Sequence, residues 1–447
     1  MFAVGLTAEW AAWVAALAAP LHRRCAWRLA HVVVGILLAS GRRTVASWWR
    51  AAGIGDQFGI YYYFLTGVGR KATAVAAVVF ALLRERIDPG GRLLLAIDDT
   101  PTKRYGPEVQ GAGIHHNPTP GPAGSKFLYG HSWVVLSRIA RHERCGTIGL
   151  PLLGRLYVRD RDVAKLPEAI DWTFRTKPQL AAEMITWTGT LATGSTQPPW
   201  VVVDGSYANR EVIKPAKKAG LVVVARLRRD AKLFDLPPVL KPGQKRGPGR
   251  PPVYGKNRLS LAKRAGHQRG WQAIDVVTTT GQVVTKTVKT FLATWHPAGG
   301  LVRVVIVKEA DGSWRAYLCT DPEASVEEIV QAALDRWSIE QNFHDLKEVE
   351  GIEQVQVRRL WSNVGALNRS LWVHTLIELW GWSRPVEELS DRSDSPWDDA
   401  GRRPSHADRR KALQREMLEE EFQRSWGEGP LPPKIRDLRD RVVKLVA

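Results

Sequence analysis

The chain has 447 residues, of which 44% are hydrophobic, which is enough for two or three folded domains. Its 64 Lys and Arg outnumber its 45 Asp and Glu and leave a net charge of +19, while 19 Trp residues exclude a disordered chain. Such a surplus favours a polyanionic partner, either a nucleic acid or an anionic membrane surface. The three cysteines, Cys25, Cys145 and Cys319, are too far apart for a disulfide framework or a zinc-ligand pair.

The N-terminal region, residues 1–88, is rich in Ala and Leu, and apolar residues such as Trp10, Trp13 and Leu17 recur at helical spacing. We therefore predict helices here. Proline and arginine residues interrupt the apolar stretches before they reach the length of a membrane span, and no basic signal-peptide segment precedes them. We expect a soluble, cytoplasmic protein without a membrane partner. Residues 40–54 fit either a helix-turn-helix DNA reader or a plain amphipathic bundle.

Two short apolar runs further along end in acids. Residues 92–97 lead into Asp98 and Asp99, and residues 200–203 lead into Asp204. Buried central strands end in this way at a loop. Because these strands alternate with helical segments, the sequence predicts an α/β fold.

Residues 210–270 hold seventeen Lys or Arg against three acids, a net charge of +14. Within them, the segment KRGPGRPP (245–252) resembles an AT-hook that enters the minor groove; the alternative is a solvated basic linker that binds phosphates without preference. Residues 271–320 have a β pattern, with Asp311 and Gly312 as a hairpin turn. The pattern returns to helix over 324–380, and the remaining chain is polar with a charged helix at 407–425.

The spacing of acids suggests a chemistry. Hydrolysis and transfer of phosphodiesters use two divalent ions about 4 Å apart, and such ions prefer carboxylate oxygens. Loops at the carboxyl ends of strands bring distant acids together, which makes Asp99 (with Asp98 beside it) and Asp204 candidates. Arg336, Glu340 and Lys347 are spaced to share one helix face. Read singly, the aspartates could be helix caps and the helix motif a surface ion pair.

Taken together, IDDT (97–100), VVVDG (201–205) and the R-x3-E-x6-K motif resemble the DDE transposases of insertion sequences. The similarity is greatest to the branch with a Y-x2-R-x3-E-x6-K signature, the insertion sequence 4-like superfamily. It spans roughly residues 90–380. The tyrosine of that signature falls on Ala333, where this sequence departs from the pattern.

The resemblance implies a ribonuclease H-like core formed by residues 89–209 and 324–382. The helical N-terminal region (1–88) would precede it, the basic, β-rich segment 210–323 would be an insertion, and 383–447 would form a polar and helical C-terminal region.

The resemblance also implies a site. Asp99, Asp204 and Glu340 would be the catalytic and metal-binding acids, with Asp98 as a structural neighbour, and Mg²⁺ as the ion with Mn²⁺ as a substitute. Double-stranded DNA, as transposon ends and target, would be the partner of a protein that dimerises when the ends are paired. The expected DNA contacts are Arg336 and Lys347 near the acids, Lys245, Arg246 and Arg250 in the insertion, and Trp314 stacking on a flipped base.

Several alternatives remain open at this point. Trp314 fits a core position as well as a base-stacking role, and His115, His116 and His131 are expected to be loop residues without metal-ligand spacing. A transposase-derived DNA-binding protein without catalysis, or a nuclease of the same fold, would carry the same motifs.

Overall fold

The computed structural model describes residues 5–87, 91–117, 124–192, 194–238, 249–392, 397–399, 401–427 and 429–446. Helices lie before, between and after the strands of one large mixed sheet, so the protein is a mixed α/β structure.

Helices make up the described N-terminal part of the chain. They bury apolar faces in which Trp10, Trp48 and Trp49 are fully covered. Thr44 caps one of them by accepting a hydrogen bond from the backbone N–H of Ser47. The elements are α1 (Ala8–Ala18), α2 (Arg28–Leu38), α3 (Val45–Ala51), a 3-10 turn (Gly55–Gln57), α4 (Phe58–Arg70) and α5 (Ala72–Arg86).

The first half of the sheet follows these helices. Its elements are β1 (Leu94–Lys103), β2 (Gly113–His116), β3 (Phe127–His142), β4 (Gly146–Tyr157), α6 (Asp160–Val163), α7 (Lys177–Leu191), β5 (Trp200–Val203), α8 (Arg210–Lys218) and β6 (Val222–Leu227). The strand order is β4-β3-β1-β5-β6, in which β1, β5 and β6 are parallel and β3 is antiparallel to its neighbours. All four residues of β5 are buried, as expected for a central strand covered on both faces.

The basic, β-rich segment continues the same sheet. It contributes β7 (Leu233–Phe234), β8 (Arg258–Leu259), α9 (Leu261–Gly266), β9 (Gln272–Val277), β10 (Val283–Trp295), β11 (Gly300–Lys308) and β12 (Trp314–Cys319). Strand β12 pairs with β6, so the segment that we expected to be an insertion joins the core sheet edge to edge. The domain boundaries themselves stay predictions. The predicted turn at Asp311 and Gly312 does connect β11 to β12, and Gly312 has a φ of +79°.

The last part of the chain is helical. The elements are α10 (Val326–Asp335), α11 (Ser338–Glu348), α12 (Leu360–Gly381), α13 (Val386–Leu389), α14 (His406–Trp426) and α15 (Pro433–Val446). One of these helices, α12, packs against both the N-terminal helix α4 and the C-terminal helix α14. Helix α12 is buried along its length and meets α4 backbone to backbone. A Cβ on Gly69 would lie 2.0 Å from the carbonyl oxygen of Trp361, and one on Gly365 would lie 2.1 Å from that of Leu65. Only glycine allows this approach.

Within the described ranges, no single helix is both long and apolar enough to cross a membrane, although α4 with its preceding turn and α5 together meet the length and composition across a 72° bend.

Candidate active site

Two acids lie level with each other at one edge of the sheet. The parallel pairing of β1 with β5 runs from Leu94 beside Trp200 to Ile97 beside Val203. The next residue on each strand is Asp98 and Asp204, respectively. The pairing of the strands therefore brings two acids that are more than a hundred positions apart in sequence to the same level of the sheet.

Alternation along β1 separates the two neighbouring aspartates. Ala96 packs in an apolar cluster with Ile329 of α10 and Ile339 of α11, whereas Leu95 and Ile97 belong to the core on the opposite face. Successive side chains of a strand point to opposite faces. Asp98 therefore lies on the face of α10 and α11, and Asp99 lies on the other face.

Arg336 connects Asp98 to Glu340. Its guanidinium donates to the Asp98 carboxylate at 2.6 Å and lies 3.5 Å from the Glu340 carboxylate. Arg336 closes α10, Trp337 precedes α11, and α11 packs against β1 and β4. The sequence predicted one helix face for Arg336, Glu340 and Lys347; instead, two helices meet at Arg336, and the junction turns the arginine toward the sheet.

The carboxyl group of Asp98 is buried beside two other acids and one arginine. Burial raises its pKa to about 6, and the charges of Asp99 and Asp204 add to the rise against the opposing effect of Arg336. A backbone hydrogen bond from the N–H of Asp99, at 2.8 Å, also favours the ionised form. Because burial penalises the charged form of this carboxyl group, an additional cation beside it would favour the ionised form.

Asp99 has its partners on the opposite face of the sheet. Lys177, at the start of α7, donates to one carboxylate oxygen at 2.5 Å, and the hydroxyl of Tyr207 donates to the other at 2.9 Å. Tyr207 is buried, and burial together with the charge of Asp99 raises the pKa of its phenol. Asp99 thus joins β1 to α7 and to the loop after Asp204.

The structure distributes the remaining predicted residues over several places. Lys347 is half-buried; burial lowers its pKa, and Glu353 partly offsets this effect. Trp314 begins β12, is half-buried against the core, and has the guanidinium of Arg229 5.1 Å from its ring centre. Arg250 is exposed. Lys245 and Arg246 lie outside the described residues.

The surroundings of Ala333 explain why this position does not hold the tyrosine of the signature. Ala333 is buried in α10. A tyrosine side chain would have to displace its neighbours in this position, because protein interiors are close-packed.

The sequence of residues 16–294, more than half of the chain, matches the family described as DDE superfamily endonuclease. The chain belongs to this family. The matched range includes both aspartates of β1 and Asp204 and ends before Glu340. No curated protein matches the chain.

Among solved structures, this DDE-family chain is similar to a piggyBac transposase in a synaptic complex with hairpin DNA, with 11% identity and a TM-score of 0.33 over 78% of this chain and 56% of that chain. It therefore spans little more than half of that transposase. A second similarity is to the NurA nuclease of Sulfolobus solfataricus, with 10% identity and a TM-score of 0.24 over 58% of this chain and 81% of that chain. The family assignment rests on the sequence match.

A second polar cluster, which the sequence analysis missed, lies in the interior. Among the described residues, His374, Glu378 and His406 have ligand-type atoms within 4.8 Å of one another. His406 contacts carboxylate oxygens of Glu378 at 2.7 Å and of Glu350 at 3.2 Å. Burial would lower the pKa of His406, but the two carboxylates outweigh it and raise that pKa to about 9. The spacing of His374 and Glu378, one helical turn apart on α12, was the available signal.

Proposed function

We propose that this DDE-family protein is a transposase, which cuts DNA at the ends of a mobile element and joins those ends to target DNA. The observation that carries the proposal is Arg336, whose guanidinium joins Asp98 to Glu340 at the level where Asp204 leaves the neighbouring strand. The parallel β1 and β5 with acids at their ends, flanked by antiparallel β3 and β4, support the ribonuclease H-like core that we expected from the sequence.

In this proposal Asp98, Asp204 and Glu340 hold the divalent ions, with Mg²⁺ as the ion and Mn²⁺ as a substitute. The donor set fits hard ions because it consists of carboxylate oxygens. Arg336 is a positive charge already placed between two of these acids, and a metal ion beside them would offset the burial that raises the pKa of Asp98. Bound there, the metal would activate the attacking oxygen and stabilise the leaving one.

We propose Asp98 rather than Asp99 as the first acid. Asp98 shares a face with α11, which carries Glu340, whereas Asp99 is committed to Lys177 and Tyr207. Asp99 then acts as a positioning residue: through Tyr207 it holds the loop that follows Asp204. The sequence-based choice of Asp99 remains the alternative to test.

The other polar residues near the acids would handle the DNA backbone. When metal compensates the acids, the guanidinium of Arg336 is released to contact a phosphate, and its planar donors suit that role. Lys347 lies on α11, the helix that carries Glu340. For Trp314 the proposal is a core role, since it is half-buried against the core and stacked with Arg229.

The partner in this proposal is double-stranded DNA, which the net charge of +19 favours. Two transposon ends must be held at once, so a homodimer is proposed for the working complex, in the cytoplasm of a prokaryotic cell at the nucleoid. A DNA-binding protein without catalysis and a nuclease without strand transfer are the competing functions.

Cleavage tests the proposal directly. A plasmid that carries the DNA flanking this gene is incubated with the protein and Mg²⁺ or Mn²⁺, and broken and joined products are resolved on a gel. We predict that Asp98→Asn, Asp204→Asn and Glu340→Gln each reduce strand cleavage by roughly three orders of magnitude or more, because the acids act as one unit on the metal. Asp99→Asn should be milder, since asparagine can still accept the Tyr207 hydroxyl.

Glu348→Gln is the matched control for Glu340→Gln, because Glu348 is an exposed acid on the same helix. It should cut as the wild type does. Wild-type protein that binds the DNA but cuts it with neither ion would favour the silent DNA-binding protein. Cleavage without joining would favour the nuclease. Loss of cleavage in Asp99→Asn but not in Asp98→Asn would return the first acid to Asp99.

A further inference from the structure

A groove with no assigned role runs from the Asp204 loop along α8. One cavity, of about 650 Å³, begins at Gly205 and includes His296 and Pro297. A second, of about 530 Å³, shares those last two residues and continues along α8. We call the second cavity the α8 groove; it is lined by Arg210, Lys214, Lys217, Tyr254, His296 and the turn 297–299.

The charge of the α8 groove is uniformly positive. Among the described residues that line it, three are cationic and none is acidic. Lys217 donates to the carbonyl oxygen of Ala298 at 3.1 Å and so helps to form the wall. Arg210 and Lys214 are exposed and one helical turn apart on α8, where they can contact successive phosphates.

The opposite wall is aromatic. The rings of Tyr254 and His296 have centroids 4.0 Å apart at an angle of 32°, and Phe234 meets His296 edge-on at 5.3 Å. His296 contacts both of the other rings and is exposed, so part of this aromatic cluster is open to solvent. An exposed ring that already stacks on another offers a flat face on which a further planar group can lie.

The aromatic wall is held firmly. Asp235 accepts hydrogen bonds from the backbone N–H and the side-chain amide of Asn257, and its carbonyl oxygen accepts from the N–H of Gly255. Gly255 fits so tightly that a Cβ there would meet the backbone of Asp235 at 2.3 Å. The backbone that carries Tyr254 is therefore held beside Asp235, and its ring stacks on His296.

We propose that the α8 groove binds single-stranded DNA: phosphates lie on Arg210 and Lys214, and an unpaired base stacks at His296 and Tyr254. A cationic wall opposite stacked rings is the combination that unpaired strands use, because their bases expose a π-face. The bases of duplex DNA already stack on each other, so they cannot stack on the aromatic wall as well. This inference rests on the proposed function, in which cutting beside Asp204 creates strand ends whose terminal bases can unpair and enter the groove.

The test measures binding of fluorescent oligo(dT) by anisotropy in EDTA, where no cleavage takes place, with a duplex of equal length for comparison. We expect His296→Ala and Tyr254→Ala each to weaken oligo(dT) binding by roughly 5-fold to 100-fold, the range for loss of one stacked base. Tyr254→Phe keeps the ring and should bind as the wild type does. Arg210→Gln with Lys214→Gln should flatten the dependence on salt by about 1.4 units of log–log slope.

The control for the charge variant is Lys411→Gln with Lys434→Gln, which removes two exposed cations from α14 and α15. It should leave the oligo(dT) affinity unchanged. Unchanged oligo(dT) binding in both aromatic variants, or equal losses for oligo(dT) and duplex, would overturn the single-strand assignment. Cleavage by the wild-type protein is a separate readout. If the groove variants bind oligo(dT) as the wild type does while the wild type cuts DNA, only the single-strand inference is wrong. If the groove variants lose oligo(dT) binding as predicted while the wild type never cuts DNA, only the proposed transposase activity is wrong.

Discussion

The acids at the sheet edge and the acids in the interior are compensated in opposite ways. Asp98 and Glu340 are 21% and 46% exposed and share one arginine, and the pKa of Asp98 is raised to about 6. Glu350 and Glu378 are almost completely buried. Burial would raise their pKa values as well, but Arg410, Arg409 and His406 outweigh it and lower both.

This difference supports our proposal that the divalent ions bind at the sheet edge. The interior cluster has the tighter geometry, yet its negative charge already faces two guanidinium groups and an imidazole whose pKa is raised to about 9. The sheet edge has looser geometry and unbalanced charge. The balance of charge around the carboxylates therefore favours the sheet edge over the interior cluster as the proposed metal site, although the interior cluster is more compact.

The interior cluster should prove structural, and breaking it gives the largest expected change in stability. Glu350→Gln leaves the buried Arg410 without its 2.6 Å partner. Removing one member of a buried ion pair costs about 3–5 kcal/mol, because the other charge stays desolvated. We predict a loss of this size in the free energy of unfolding, measured by urea denaturation.

Glu9→Gln serves as the matched control, since Glu9 pairs with Arg86 on the surface at 3.1 Å, with both side chains more than a third exposed. It should change the free energy of unfolding by less than about 1 kcal/mol. Equal effects of the two variants would mean that the interior pair is not desolvated as the structure indicates.

The contrast between the two clusters also defines what sequence reasoning can reach. The apolar runs that end in Asp98 and Asp204 predicted two strands and their acids, and the pairing of β1 with β5 places those acids level. The choice between Asp98 and Asp99 depends on which face of β1 meets α11. Because both faces of this strand are covered by apolar residues, the hydrophobic pattern carries no information on the face.

Two further features depend on contacts across long stretches of chain. Arg336 lies between the end of α10 and the start of α11 and contacts the sheet. The regular spacing of Arg336, Glu340 and Lys347 in the sequence predicted one helix and did not reveal this break between two helices. The interior cluster joins residues of α12 and α14 with Glu350, which follows α11. His406 shows no spacing relation to its partners in the sequence, so only the packing of three helices brings them together.

The protonated state of His406 can be tested through the dependence of stability on pH. Its pKa in the folded protein, about 9, lies above the ordinary value of 6.5. The stabilisation is therefore fully present below about pH 6.5 and is lost as the pH rises through 9. We predict that the wild type loses about 3 kcal/mol more than His406→Gln over this range, since about 1.4 kcal/mol corresponds to each pKa unit. Parallel pH profiles for the two proteins would show that His406 is neutral and leave its site open to a metal.

The smallest expected effect is a gain in stability, opposite in sign to the losses above, and it follows from replacing Asp98 at the sheet edge. Since the pKa of Asp98 is raised from 3.8 to about 6, the wild type should lose stability as the pH rises through this interval. Asp98→Asn removes the charge and should make the metal-free protein more stable at neutral pH by about 1 kcal/mol, after allowance for partial exposure of the side chain.

The measurement is thermal or urea unfolding in EDTA at several pH values, with Asp99→Asn as the control. That control should be less stable than the wild type, because it removes the charge that pairs with Lys177 at 2.5 Å. Mg²⁺ should then stabilise the wild type and Asp99→Asn but not Asp98→Asn, since a ligand stabilises only the folded state that binds it. Destabilisation by Asp98→Asn in EDTA would contradict the unbalanced charge on which the metal site rests.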